Sequence, residues 1–198
     1  RAYSWDKHHK VDDTPYGGAP GMILAIQPLY SALKELKNDN SLVYLISPEG
    51  KTFDQKMAHE LNEKSKCSDI ILICGHYEGF DARIEKYIDG KISLGDFIIT
   101  GGELAAMCIS DAIIRLTDGV IKKESSNDES FENTLLEPPQ YTMPVEFDGQ
   151  KVPEVLVSGN HALIKKWRIE QSYLRTKKER PDLWEKYERS LNDSNKKD

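Results

Sequence analysis

The chain has 198 residues, of which 38% are hydrophobic and 30% charged, and its formal net charge is −6. This balance is typical of globular proteins, and no apolar run reaches the roughly 18 residues that a membrane-spanning helix needs. The three cysteines form no CxxC pair, and the five histidines show no HExxH spacing. We therefore expect free thiols in a cytoplasmic protein that has no membrane partner and no transition-metal site.

The negative net charge argues against nucleic acid as a partner, because phosphate contacts need lysine and arginine. Residues 161–180 reverse this sign locally, since they contain seven basic and two acidic side chains, a net charge of +5. We expect this basic arm, which includes Lys165, Lys166 and Arg168, to contact phosphates.

From residue 41 the sequence alternates between apolar strands and amphipathic helices. Strands are predicted at 41–46, 69–74 and 92–100, and helices at 27–37, 53–66, 80–88 and 102–116. Strands that are apolar throughout and separated by helices imply a parallel sheet covered on both faces, so the predicted fold class is α/β. No strand is predicted ahead of the glycine-rich loop at 16–22.

A polar stretch without apolar periodicity begins at residue 122 and indicates a flexible linker. Beyond it, prolines fix an extended connection, and 160–174 carries an apolar stripe typical of a helix. We predict an α/β domain at 1–121, a flexible interdomain linker at 122–134 and a small C-terminal helical domain at 135–198.

Each predicted strand runs into a turn that contains glycine: residues 47–50, 75–79 and 100–103. The carboxyl ends of parallel strands meet at one edge of a sheet, and glycine lets backbone approach a ligand closely. The absence of GxGxxG and GxxxxGK[ST] argues against dinucleotide dehydrogenases and P-loop kinases. The pattern favours a backbone-lined pocket for a ligand containing a purine, with Glu78 and Asp96 as acceptors or, alternatively, as helix caps.

Four motifs together resemble, in order and spacing, the bacterial tRNA (guanine-N1) methyltransferases of the TrmD type. They are Val11–Met22 (VDDTPYGGAPGM), Cys74–Arg83 (CGHYEGFDAR), Ser93–Leu104 (SLGDFIITGGEL) and Ser158–Ala162 (SGNHA). The resemblance runs from about Tyr3 to Leu183 and lacks the family's N-terminal strand and first helix. It implies the SPOUT fold, a parallel sheet with a deep trefoil knot, and a homodimer whose active sites lie between subunits.

The resemblance also implies ligands and the residues that bind them. S-adenosylmethionine would be held by Pro48, Gly75, Tyr77, Leu94, Gly95, Asp96, Phe97, Ile98, Ile99, Gly101 and Gly102. Asp12 and Glu78 would contact the guanine, and the C-terminal helices would bind the anticodon stem-loop of tRNA through the basic arm. The family's use of a divalent cation such as Mg²⁺ is implied as well, although no ligand spacing in the sequence indicates a metal site.

Methylation of guanine N1 requires that its proton leave, and negative charge then develops on O6. By the resemblance, Arg115 faces the reacting base and the segment ending in Ser130 and Phe131 carries the proton acceptor. The family's usual Asp-Ser-Phe is replaced here by Asp128-Glu129-Ser130-Phe131. The position directly before Ser130 in the motif favours Glu129 as the proton acceptor, whereas the family's side-chain type favours Asp128. Both residues therefore stay candidates for the base. His76 stands where the family more often has arginine.

Two alternative functions are compatible with the sequence. Another SPOUT RNA methyltransferase, such as a ribose 2′-O-methyltransferase, would have the same sheet, since fold does not fix function. A non-catalytic RNA-binding fragment would have the same basic arm. The carboxylates before Ser130 and the C-terminal helical unit favour guanine-N1 methylation.

Overall fold

The computed structural model describes residues 1–121, 130–132 and 134–194. Contacts divide the chain into two compact units, residues 1–121 and residues 122–198. The first unit contains a parallel three-stranded sheet with helices, which confirms the predicted α/β class.

The first unit alternates strands and helices along the chain. Its elements are β1 (Asp12–Asp13), β2 (Ile23–Leu24), α1 (Ile26–Leu36), β3 (Leu42–Thr52), α2 (Gln55–Ser65), β4 (Ile70–Ile73), a 3₁₀ helix (Ala82–Tyr87), β5 (Gly90–Ser93) and α3 (Glu103–Arg115). β3 is the central strand and runs parallel to β4 on one side and β5 on the other. The carboxyl ends of all three strands therefore lie at the same edge.

Apolar side chains cover both faces of this sheet. Val43 and Leu45 of β3 pack with Leu33 and Ile84 on the face covered by α1 and the 3₁₀ helix. Ile46 of β3 belongs to the cluster on the opposite face, whose other buried members are Met57, Leu61, Ile92, Ala105, Ile109 and Ile113. Alternate residues of a strand point to opposite faces, so a strand buried on both sides must be apolar at consecutive positions.

The predicted end of β3 at Ile46 is wrong. The pairing with β5 is interrupted after Ile46 and resumes when Lys51 and Thr52 pair with Ile92 and Ser93. A Cβ atom at Gly50 would lie 2.5 Å from the amide nitrogen of Ile92, so only glycine allows the returning backbone to come this close. The intervening residues 47–50 bulge outward at the carboxyl edge.

The predicted third strand is also wrong in its second half, because β5 stops at Ser93 and residues 94–100 form a loop. Gly95 has a φ of 152°, and the Phe97 N–H donates to the Gly95 carbonyl at 2.9 Å, which turns the chain away from the sheet. The apolar side chains that suggested a strand are exposed instead, with Phe97 at 57% and Ile98 at 81%. An apolar run does not by itself distinguish a buried strand from an exposed loop.

Smaller differences concern the first loop and the 3₁₀ helix. The loop at 16–22 is preceded by β1, a strand of two residues that pairs antiparallel with β2. Such a short strand has no hydrophobic pattern for a prediction to detect. The helix predicted at 80–88 is 3₁₀, and Asp81 caps it by accepting from the Arg83 N–H.

The second unit consists of a hairpin and helices: β6 (Glu146–Phe147), β7 (Gln150–Lys151), α4 (Glu154–Val157), α5 (His161–Glu179) and α6 (Pro181–Ser194). The predicted helix at 160–174 is correct in its start and too short, since α5 continues for another turn. Asn160 caps it by accepting from the Leu163 N–H at 3.2 Å. α6 begins at Pro181, a position where the missing N–H costs nothing, and was not predicted separately.

α5 and α6 pack through a cluster of aromatic side chains. The rings of Tyr173, Trp184 and Tyr187 lie 5.6–5.7 Å apart, and the two tyrosine hydroxyls are hydrogen-bonded at 2.9 Å. Lys177 Nζ lies 5.2 Å from the centre of the Trp184 ring. This cluster gives the small unit a core that its few aliphatic residues would not provide.

Candidate active site

A cavity of about 500 Å³ opens at the carboxyl edge of the sheet. Its walls come from the bulge at 47–50, the loop at 75–79 after β4, the 3₁₀ helix and the loop at 94–102 after β5. This volume lies within the range of small-molecule and cofactor pockets. The structure thus brings together the three glycine-containing turns that follow the strands.

Two of these loops are held together by backbone contacts that only glycine permits. The Gly102 N–H donates to the Gly75 carbonyl at 2.8 Å, and His76 pairs with Gly101 in an antiparallel bridge. A Cβ atom at Gly102 would lie 2.9 Å from the Cα atom of Cys74, and one at Gly75 would lie 2.8 Å from the ring of Phe80. Larger residues at these positions would fill the cavity wall or separate the loops.

The first loop of the chain contacts the same region. The Glu78 N–H donates to the Met22 carbonyl at 3.0 Å, and the Leu24 N–H donates to the Gly79 carbonyl at 2.9 Å. On the other side of β2, Leu24 pairs with Asp12. Asp12 and Glu78, the predicted guanine contacts, therefore lie on backbone segments that flank one strand.

A cluster of charged side chains in the cavity wall was missed by sequence reasoning. Lys91 Nζ donates to carboxylate oxygens of both Glu49, on the bulge, and Glu85, on the 3₁₀ helix, the second at 2.9 Å. These two carboxylates raise the pKa of Lys91, the Glu49 contact most strongly. The signal that could have revealed the cluster is the single lysine within the apolar strand β5.

A second ion pair links the loops at the cavity mouth. His76 Nε2 lies 2.7 Å from a carboxylate oxygen of Glu103, the first residue of α3. The backbone N–H of Glu103 itself lowers the pKa of this carboxyl most, and the hydrogen bond from His76 lowers it further. Burial, reinforced by the charge of Glu103, raises the pKa of the nearby Cys74 thiol, which remains protonated and unreactive at neutral pH.

Most of the predicted cofactor residues lie in the cavity wall. Ten of the eleven line it: Pro48, Gly75, Tyr77, Leu94, Gly95, Phe97, Ile98, Ile99, Gly101 and Gly102. The exception is Asp96, an exposed residue of the same loop that is not among the lining residues. Glu78, predicted to contact the substrate, lines the cavity as well.

Of the three predicted catalytic residues, the structure describes Arg115. Arg115 is the last residue of α3, is partly buried, and does not line the cavity. Asp128 and Glu129 fall outside the residues that the structure describes. The cavity in one chain thus brings together the predicted cofactor residues without Arg115.

The outward face of α3 is unusually apolar. Leu104 is 63% exposed and Met107 67% exposed, and Ile114 lies one to two turns further along the same face. Surface helices normally carry polar residues opposite their buried stripe. Phe97 and Ile98, two apolar residues of the loop that lines the cavity, are exposed as well.

In the second unit, the basic arm is exposed along α5. Lys165, Lys166 and Arg168 are exposed in its first half, and Lys177 and Lys178 in its last turn. Lys166 forms a long pair with Glu170, at 3.9 Å. The predicted positive surface is therefore available to phosphates.

In the ranges 1–121, 130–132 and 134–194, no group of three or more histidine, cysteine or acidic residues could hold a metal ion. Within the same ranges, no helix combines the length and apolar character needed to cross a membrane.

Comparison with known proteins identifies the family of this chain. The family model described as tRNA (Guanine-1)-methyltransferase TrmD matches residues 1–186. A tRNA (guanine-N(1)-)-methyltransferase of Clostridium botulinum (strain Kyoto / Type A2) is 53% identical, covering 100% of this chain and 84% of the relative.

Two further relatives bear the same name. The protein of Ureaplasma urealyticum serovar 10 is 53% identical over 94% of this chain and 81% of its own length. That of Clostridium perfringens (strain SM101 / Type A) is 52% identical over 98% of this chain and 81% of its own length. The chain belongs to the TrmD family of tRNA (guanine-1) methyltransferases, and the resemblance predicted from the four motifs is confirmed.

Proposed function

We propose that this chain transfers a methyl group from S-adenosylmethionine to N1 of the guanine 3′ to the anticodon (position 37) in tRNA. The observation that carries the proposal is the cavity at the carboxyl edge of the sheet, lined by the glycine loops of a chain that belongs to a guanine-N1 methyltransferase family. Incubation with tRNA and cofactor, followed by mass spectrometry of the digested nucleosides, tests it. A 2′-O-methyl product, or no product, would overturn it.

The cavity fits S-adenosylmethionine in size and in chemistry. When bound, this cofactor supplies a methyl group on a positively charged sulfur. Gly75, Gly101 and Gly102 line the cavity without side chains, which lets a purine and a ribose approach the backbone closely. The carboxylates of Glu49, Glu78 and Glu85 outnumber Lys91 in the wall, which favours a cationic ligand. The trefoil knot of the sheet is proposed on the family resemblance.

The active enzyme in this proposal is a homodimer that brings Arg115 of one subunit to the cavity of the other. The supporting observations are the position of Arg115 away from the cavity of its own chain and the apolar face of α3 beside the cavity mouth. Large exposed apolar patches mark interaction surfaces, and self-association buries the same patch on both copies. Sedimentation that finds Leu104→Glu monomeric and fully active would contradict this part.

The basic arm would bind the anticodon stem without contacting the cofactor. Reversal of Lys165, Lys166 and Arg168 to glutamate should weaken tRNA binding and reduce its salt dependence by about one unit of slope per lost phosphate contact. Reversal of three exposed lysines of the first unit (Lys34, Lys56 and Lys64) is the matched control and should have little effect. Loss of cofactor affinity in the arm variant would refute the separation of roles.

In the chemical step, a carboxylate of Asp128 or Glu129 accepts the N1 proton while Arg115 stabilises the negative charge that develops on O6. Glu78 and Asp12 would hold the guanine edge and so orient N1. The cofactor, when bound, would supply the methyl group and leave as S-adenosylhomocysteine. A divalent cation such as Mg²⁺ would act on O6 or on phosphate. Activity measured after chelation with EDTA and re-addition of Mg²⁺ tests that requirement.

A further inference from the structure

Thr176 is the one buried residue of α5 and is completely inaccessible to solvent. Its hydroxyl donates to the Ser172 carbonyl within the helix and accepts from the Leu136 N–H outside it, both at 2.8 Å. A buried hydroxyl is stable only when it is hydrogen-bonded, and valine would fill the same volume without that requirement. We therefore attribute the hydroxyl at position 176 to its hydrogen bond with the Leu136 N–H.

Ser172 lies one turn before Thr176 in α5 and binds the backbone carbonyl of Leu136, the residue whose N–H is bound by Thr176. Its hydroxyl donates to the Leu136 carbonyl at 2.6 Å. Arg175 adds a third contact by donating to the Glu137 carbonyl at 3.3 Å. Side chains of α5 thus satisfy both backbone groups of Leu136 and fix its position relative to the helix.

The fixed residue is connected in turn to Ser130. The Ser130 N–H donates to a carboxylate oxygen of Glu137 at 3.2 Å, and the Glu137 N–H donates to the Ser130 hydroxyl at 3.0 Å. The Phe131 N–H donates to the Leu135 carbonyl at 2.9 Å, and Arg180 lies over the Phe131 ring. Phe131 has a φ of 77°, which a bulky residue adopts only when its surroundings impose it.

We propose that Thr176 and Ser172 are positioning residues for methyl transfer: they hold Leu136 and, through the reciprocal Ser130–Glu137 bonds, fix the residue that directly follows the linker carboxylates. The inference rests on the proposed function, in which one of those carboxylates is the base. Ser130 is the first described residue after the linker and directly follows Glu129 in the sequence. Neither hydroxyl needs to touch the cofactor or the guanine.

The test removes each hydroxyl without changing the volume of the core. Thr176→Val keeps the shape and loses both hydrogen bonds, Thr176→Ser restores them, and Ser172→Ala removes the second contact. Ser190→Ala is the matched control, because it removes a serine hydroxyl that donates to the Tyr187 carbonyl within α6 rather than to Leu136. Single-turnover rates are measured with saturating S-adenosylmethionine and tRNA, alongside the dissociation constants for tRNA and S-adenosylhomocysteine.

We expect Thr176→Val and Ser172→Ala to lower the single-turnover rate about tenfold to a hundredfold, since small misplacements of a reacting group have effects of this size. Both dissociation constants should stay within about twofold of the wild-type values. Thr176→Ser should recover most of the rate. Hydrogen exchange at the amides of Ser130, Leu136 and Glu137 should accelerate in the two slow variants and stay unchanged in Ser190→Ala.

Faster exchange with an unchanged rate would overturn the positioning role, as would a loss of rate that follows tRNA affinity alone. If Thr176→Val does not fold, Ser172→Ala decides the question by the same measurements. Failure of the proposed function is recognised separately, because the wild-type enzyme would then form no N1-methylguanine while the exchange data still report whether the hydroxyls hold Leu136.

Discussion

Replacement of Gly102 by alanine should damage the cofactor pocket and leave the fold intact. The added Cβ atom would lie 2.9 Å from both the Cα atom of Cys74 and the amide nitrogen of Gly75, and neither backbone atom can rotate away. The φ of Gly102 is −77°, so alanine adopts the conformation without strain of its own. The conflict is therefore purely one of space between the loops after β4 and β5.

The magnitude follows from the cost of overpacking, about 1–3 kcal/mol for an inserted methyl group in a well-packed site. α3 is held by Ala105, Ile109 and Ile113 in the core, so the loops separate more readily than the helix moves. Separation breaks the hydrogen bond from Gly102 to Gly75 and widens the cavity. If this whole cost is subtracted from the free energy of binding, the affinity for S-adenosylhomocysteine drops roughly 5- to 140-fold.

Isothermal titration with S-adenosylhomocysteine measures this loss, and the melting temperature reports the fold. Gly90→Ala is the matched control, because it adds the same methyl group to β5 outside the cavity, 3.3 Å from a tyrosine ring that can shift. We expect the control to bind normally. A folded Gly102→Ala that binds as tightly as the wild type would refute the argument that these loops form the binding site.

Three further outcomes are expected. Lys91→Met should weaken binding of S-adenosylhomocysteine, which lacks the sulfonium charge, by roughly fivefold or less, because the carboxylates of Glu49 and Glu85 then repel each other across a partly solvated wall; Lys91→Arg should restore binding in the same titration. Asp182→Asn should lower the melting temperature at neutral pH. The hydrogen bond from Arg180 lowers the pKa of Asp182 to about 2. The stabilisation by this carboxylate is therefore present above about pH 4 and disappears as the pH falls through 2. Of Glu129→Gln and Asp128→Asn, the variant that removes the base should lose about a hundredfold or more in single-turnover rate, and normal rates in both variants and in the double variant would exclude the linker as the source of the base.

The sequence predicted β4 and the first half of β3 well because both are apolar at consecutive positions, which is typical of strands buried on two faces. It failed where the backbone departs from regular pairing. The run after Ser93 has the composition of a strand, yet the positive φ of Gly95 turns it into an exposed loop. Nothing in a hydrophobic pattern reports whether a partner strand is within reach.

The site could be predicted to a similar extent and for related reasons. Glycines after strands mark places where backbone comes close, and Gly75 and Gly102 do form the contacts that such residues permit. The cluster around Lys91 was missed because Glu49, one of its two carboxylates, lies 42 residues away in the sequence. The family and the enzyme class were predicted from motifs whose order is conspicuous in the chain, and both are confirmed.

The two units fix their loops in opposite ways, and this difference bears on how each residue should be tested. In the first unit, backbone bonds between Gly75 and Gly102 join two loops directly, so added volume is the damaging change. In the second unit, the hydroxyls of Ser172 and Thr176 hold the backbone of Leu136 by hydrogen bonds. There, removal of a hydroxyl is the damaging change, even when the volume of the side chain stays the same. Cofactor affinity should consequently respond to glycine substitutions in the first unit, whereas the rate of the chemical step should respond to hydroxyl deletions in the second.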